Sequence, residues 1–169
     1  MSELTFYPRE PFIGVDFSGQ PNAPPMIAVA TRYTRRKKEH KWIVRINAEE
    51  IAQHRAKRDW QERIYASLAF KVIDKVLQPN YVIHIDEEYQ DPRQQQKVIN
   101  NIKYLIGIFH SGDPDKENPD IETKTKYVSA YVMDAHLKHG EARRGKMHID
   151  EKTGINHLMI LLEQKKVLV

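Results

Sequence analysis

Cysteine is absent from the 169 residues. That removes two classes at once, because no disulfide framework can staple the fold and no thiolate can bind zinc. Any metal must be held by Asp, Glu, His or water, a donor set suited to hard cations. Long apolar runs are lacking too: no stretch approaches the roughly 20 residues that span a bilayer, and the opening MSELTFYPREP lacks the charged-then-apolar order of a signal peptide. The chain is therefore read as cytoplasmic, with no membrane partner. Internal repeats and low-complexity tracts are also missing. The length suits a single domain over 1–169, with a core at about 12–140 and a C-terminal extension at 141–169.

Charge, by contrast, is plentiful. Lys and Arg number 27 against 23 Asp and Glu, a net +4, and the pI is about 9.2. Such a balance permits a polyanionic partner without demanding one. Two clusters concentrate it, Arg35, Arg36, Lys37 and Lys38 in the first and Arg143, Arg144 and Lys146 in the second. On an ordinary surface they are solvated; on a nucleic-acid-binding protein they would contact the phosphate backbone.

β-Branched and aromatic runs bounded by turn residues mark the strands. FIGVDFSG closes on Ser18 and Gly19, QPNAPP is a loop, and MIAVATRYT and KWIVRI are joined by RRKKEH at hairpin length. Three successive strands predict an antiparallel meander. Asn47, with Glu50 three residues on, has the form of a helix N-cap and capping box, and neither Pro nor Gly interrupts the chain from there to Leu77, so one long helix or two follow. Trp60, Ile64, Leu68, Val72 and Val76 recur every fourth residue and form an apolar stripe meant for a sheet. YVIHI is a fourth strand that runs into Asp86, Glu87 and Glu88. A second helix starts after Pro92. Residues 104–110 read either as its end or as a fifth strand, given Gly107 and its β-branched neighbours. HSGDPDKENPD is a polar loop. KYVSAYVMDAHLKHG is a helix capped by Gly140, with Val128, Tyr131, Val132 and Ala135 on one side, and INHLMILLEQKK is a last helix or strand.

The order β-β-β-α-β-α has a consequence for the acids. A strand joined through a helix to another strand of the same sheet runs parallel to it, about 4.8 Å away if adjacent. With the fourth strand beside the first, Asp16 and Asp86 end their strands at one edge. Phe12, Gly14 and Asp16 share a face of one strand, and Val82, His84 and Asp86 share a face of the other. Two carboxylates so close repel unless something positive separates them, and a divalent cation is the simplest candidate.

Asp16 in IGVDFSG, Asp86 in YVIHIDEEY and a late helical acid, Asp134, in VSAYVMDAHLKHG together resemble the RNase H-like nuclease superfamily, over about residues 12–140. SAYVMDAH is similar to the small-residue helix of junction-resolving members more than to true RNase H. The resemblance implies an α/β fold, a mixed five-stranded sheet in the order 3-2-1-4-5 flanked by helices. It implies a metal-dependent nuclease acting on phosphodiester bonds of DNA or RNA, with Mg²⁺ or Mn²⁺ held by Asp16, Asp86 and Asp134. A fourth acid would come from Glu50 or Glu62 on the first helix, or from Glu87. Two metals about 4 Å apart activate a water and stabilise the leaving oxygen, chemistry that needs clustered carboxylates and no covalent nucleophile. The basic clusters would grip the nucleic acid, whose type the residues leave open, as they leave open whether the protein acts as a homodimer. The handle by which true RNase H grips hybrid duplexes has no clear counterpart.

Plainer readings stand beside these. An Asp at a strand end is often a turn residue, and a helical acid is usually solvated. His136 and His139 could share a helix face, with His148 and His157 further on, but a zinc site would want a third ligand at a defined position. His84, inside a strand, is expected to be packed or hydrogen-bonded, and Trp60 near Arg58 and Arg63 to pack in the core rather than to stack on bases. GVDFSG also looks like the phosphate-binding first hairpin of the actin-like ATPase and sugar-kinase superfamily, whose members bind nucleotide between two domains where this chain has room for one. A third reading is a catalytically inactive RNase H-like scaffold in a nucleic-acid complex; acids at all three positions argue against it, and the weak fourth acid argues for it.

Overall fold

The computed structural model describes residues 12–34, 37–77, 81–111, 119–143 and 154–165. Five strands, β1 (Phe12–Gln20), β2 (Ala23–Thr34), β3 (Lys37–Ile46), β4 (Val82–Ile85) and β5 (Ile121–Thr123), form one sheet in the order β3-β2-β1-β4-β5. β1 to β3 pair antiparallel, β4 lies parallel to β1, and β5 lies parallel to β4. The fold is thus α/β with the mixed 3-2-1-4-5 sheet that the residues imply. Its helices are α1 (Ala48–Ala52), α2 (Trp60–Asp74), α3 (Pro92–Ile106), α4 (Ala130–Arg143) and α5 (Asn156–Glu163). None of the described helices is long and apolar enough to cross a membrane.

Parity along the central strands assigns their residues to two faces. Ile13, Val15, Ile83 and Ile85, all fully buried, turn to the side covered by α2, where Phe17 meets Tyr65 edge-on with ring centres 5.0 Å apart. Ile64, Leu68, Val72 and Ile73 of α2 belong to the same core, as do Ile155, Leu158, Met159 and Leu162 at and after the start of α5. Burying each such side chain contributes about 1.5–3 kcal/mol relative to exposure. Phe12, Gly14 and Asp16 turn to the other side, which α4 covers. Tyr131 of α4 stacks on Phe12 at 4.5 Å, and a Cβ on Gly14 would collide with the Tyr131 carbonyl. Glycine here lets the helix backbone lie flush on the strand.

In five places the structure departs from the sequence expectation or decides between its alternatives. β3 begins at Lys37 and pairs Lys38 with Tyr33 and His40 with Thr31, so most of RRKKEH is strand rather than connection. The stretch from Asn47 to Leu77 is two helices, divided where residues 53–59 supply almost no apolar side chains and Asp59 takes a left-handed φ of 51°. Residues 104–110 are helical, α3 passing into a π-helical turn at Gly107–Ser111. The fifth strand is Ile121–Thr123, too short to show alternation. α4 continues through Gly140 to Arg143, and Val128 precedes it, exposed.

Candidate metal centre

β4 runs beside β1 with Gly14 opposite His84 and Val15 opposite Ile85. The Asp86 N–H donates to the Val15 carbonyl at 3.0 Å, which carries the pairing one residue further and sets Asp86 beside Asp16. The chain then continues to Glu88, two residues on and so on the same side as Asp86. Carboxylate oxygens of Asp16, Asp86 and Glu88 all lie within 4.8 Å of one another. Gln95, buried on α3, holds this segment from behind. Its Oε1 accepts the N–H groups of Glu88 and Tyr89 at 3.1 and 3.2 Å, and its Nε2 donates to the Asp86 carbonyl at 3.1 Å.

The electrostatics are adverse for three bare carboxylates. Burial first, then a hydrogen bond and charge repulsion from Asp86, push the Asp16 carboxyl up to about 8. Burial first, then the charges of Asp86 and Asp16, push Glu88 up to about 9. The Tyr65 hydroxyl hydrogen-bonds Glu88, yet Glu88 Oε1 is buried with no hydrogen-bond partner. A buried carboxylate oxygen that no protein donor reaches is costly to keep, and a cation among the three groups would satisfy it. The residues therefore fit a hard divalent ion.

The other side of Asp16 faces α4. Ser129 precedes that helix and accepts the Val132 N–H at 3.3 Å. Its hydroxyl donates to His84 Nδ1 at 2.9 Å, the other nitrogen of His84 donating to Glu122 at 3.2 Å. About two to three turns further on, His136 Nδ1 lies 3.0 Å and His139 Nδ1 3.4 Å from the same oxygen, Asp16 Oδ2. Ligand atoms of Asp16, His136 and His139 also stand within 4.8 Å of one another. Lys126 reaches this rim, its Nζ 3.5 Å from His136 Nε2.

Of the residues expected to form the site, Asp16 and Asp86 come together. Asp134 is in neither set: it is about 200° around α4 from His136, and burial raises its carboxyl against the opposing charge of Lys138. Glu87 is exposed. Glu62 is buried and accepts from the Tyr89 hydroxyl at 3.3 Å, while Glu50 accepts the Ile155 N–H at 3.0 Å and so ties α1 to the start of α5. Lys37 and Lys38 open β3 and Arg143 ends α4, whereas Arg35, Arg36, Arg144 and Lys146, like His148, lie outside the described residues. Trp60 packs against the core with the Arg55 guanidinium 5.9 Å from its ring centre. Glu88 was within reach of sequence reasoning through its parity with Asp86. The histidine pair was visible as an i,i+3 spacing, and the third donor such a pair would want lies beside it on Asp16.

The topology is consistent with an RNase H-like fold. Comparison with known protein families, with curated proteins and with solved structures gives no match.

Proposed function

We propose that the chain is a divalent-metal-dependent hydrolase of nucleic-acid phosphodiester bonds, with Asp16, Asp86 and Glu88 holding Mg²⁺ or Mn²⁺. The observation that carries this reading is the unpartnered, buried Glu88 Oε1 beside two further carboxylates, an arrangement unfavourable to the free protein and relieved by a cation. When bound, the ion supplies Lewis acidity and a water of lowered pKa. The chain's own residues do the rest. Asp16 and Asp86 are fixed by the parallel register of β1 and β4, Tyr65 and Gln95 set the direction of Glu88, and Lys126 stands at the rim where a phosphate oxygen would arrive. The chain's net +4 supports a polyanionic substrate, with Arg35, Arg36, Lys37, Lys38, Arg143, Arg144 and Lys146 as backbone contacts.

The test is to incubate the wild type, Asp16→Asn and Glu88→Gln with duplex, hybrid, single-stranded and branched substrates in Mg²⁺, in Mn²⁺ and in chelator. Cleavage is expected only with metal and only by the wild type. Equal cleavage by Asp16→Asn would overturn the reading. No cleavage by any protein, with no metal-induced rise in melting temperature, would favour the inactive scaffold. Neutralising both basic clusters should flatten the salt dependence of binding by about 0.9 in log–log slope for each lost duplex phosphate contact.

A further inference from the structure

We infer that Asp16 is shared between two unlike metal positions, and that the second, made with His136 and His139, takes a borderline transition ion such as Zn²⁺ or Co²⁺ in preference to Mg²⁺. This deepens the reading above and rests on its premise that Asp16 is a metal ligand.

Spacing is the first argument. Around a tetrahedral ion with bonds of about 2.0–2.1 Å, neighbouring ligand atoms stand about 3.3 Å apart. Asp16 Oδ2 is 3.0 Å from one imidazole Nδ1 and 3.4 Å from the other, so two edges of such a polyhedron already have nearly that length. The third, no longer than 4.8 Å, closes by rotation of His136, whose side chain is 40% exposed.

The proton on His139 is the second. Its Nε2 lies 3.2 Å from the Asp16 backbone carbonyl, which can only accept, so that nitrogen carries the hydrogen. Nδ1, the other ring nitrogen, faces Asp16 Oδ2 at 3.4 Å, at a residue only 5% exposed. A metal-binding histidine is commonly held this way, its remote N–H fixed on a backbone carbonyl while the other nitrogen faces the ion. Two imidazoles with one carboxylate suit zinc and its neighbours, whereas Mg²⁺ keeps to oxygen ligands and waters. Ligation of His136 through Nδ1 places its hydrogen on Nε2, which turns the Lys126 ammonium away from the ring and out towards the rim.

The experiment uses the full chain stripped with chelator. Co²⁺ and Zn²⁺ are titrated by calorimetry and by the visible absorption of bound Co²⁺, and Mg²⁺ by melting temperature, for the wild type, His136→Ala, His139→Gln and Glu88→Gln. The wild type should bind Co²⁺ at least tenfold more tightly than His136→Ala, Glu88→Gln should keep the Co²⁺ spectrum, and the Mg²⁺ response should survive in His136→Ala and vanish in Glu88→Gln. His136 is exposed enough for its truncation to leave the fold intact by circular dichroism, so the conclusion does not hang on the buried His139. An unchanged Co²⁺ affinity and spectrum in His136→Ala would overturn the imidazole position while leaving the acidic one standing. Co²⁺ binding that needs His136, without any Mg²⁺ response, would uphold the imidazole position and overturn the acidic one. No response to any ion would overturn both.

Discussion

The two faces of the central sheet are built by different rules. Towards α2, strands β1 and β4 present Ile13, Val15, Phe17, Ile83 and Ile85, and the covering helix answers with Ile64, Leu68 and Val72, all buried. Any well-filled apolar set of the same volume would serve there. Towards α4 the same strands present Phe12, Gly14, Asp16 and His84, and the helix answers with Tyr131, His136 and His139, through stacked rings and polar pairs at 3.0–3.4 Å. That face depends on where individual atoms lie. The apolar core and the polar cluster are thus separated by the thickness of one strand, and the parity of a residue along β1 decides to which of them it belongs.

The sharpest way to break this contrast is to injure each face once. Gly14→Ala forces a methyl group into the Tyr131 backbone carbonyl, which cannot yield without lifting α4, and a loss of about 3 kcal/mol or more is expected. Leu68→Ala, at a fully buried site of α2, should lose about 2–5 kcal/mol through the cavity left behind. Urea unfolding followed by metal titration separates the two. Gly14→Ala should also lose its metal response, whereas Leu68→Ala should keep it in whatever fraction remains folded. A neutral Gly14→Ala would show that α4 is free to move.

Acidity sharpens the contrast next. In chelator, the raised Asp16 and Glu88 carboxyls, at about 8 and about 9 against ordinary values of 3.8 and 4.5, mean that the folded state binds protons more tightly than the unfolded chain. Apo stability should therefore fall as pH rises from about 4 to about 9, by on the order of 2 kcal/mol. Saturating metal should reverse the trend because binding displaces those protons, and Asp16→Asn should flatten the apo slope. A melting temperature flat across this range in chelator would contradict the crowding of the acids.

The smallest effect is at His84. Burial lowers its pKa and the Glu122 carboxylate opposes that, so the neutral ring's contribution is present above about pH 6.5 and is lost as pH falls below it. Glu122→Gln removes the opposing charge and should make melting more acid-sensitive between pH 7.5 and 5.5, by a few tenths of a kcal/mol, as for a partly exposed pair. Identical acid sensitivity in both proteins would show that Glu122 does not support the charged ring.

Legibility followed the same division. The sheet order and the pairing of Asp16 with Asp86 were readable because they follow from alternation and from the need of a parallel strand for a crossover. Glu88 was readable in principle by the same alternation, but three consecutive acids gave Glu87 equal standing without a register. On the imidazole side the pair His136 and His139 was readable by its spacing, but its approach to Asp16 was not. The apolar side read for α4, Tyr131, Val132 and Ala135, is its inner face, but it buries His139 as well, and the helix is seated by the close approach at Gly14, a contact between segments more than a hundred residues apart. The three-residue β5 escaped for a related reason, since it is decided by what packs against it and not by its own composition.

Gln95 has a further consequence. Its amide is asymmetric, with the oxygen gripping two N–H groups and the nitrogen gripping the Asp86 carbonyl, so neither Glu nor Lys can stand in for it. Glu would forfeit the donor and add a fourth negative charge, and Lys would forfeit the acceptor. The spacing between these residues is fixed by the turn from β4 into α3. A chain with this centre should therefore carry the pattern D-x-E-x₆-Q, here Asp86, Glu88 and Gln95, ahead of a later H-x-x-H, here His136 and His139. Distant kin could be sought by that signature where overall similarity has faded, and a homologue that replaced Gln95 would be expected to have changed Glu88 with it.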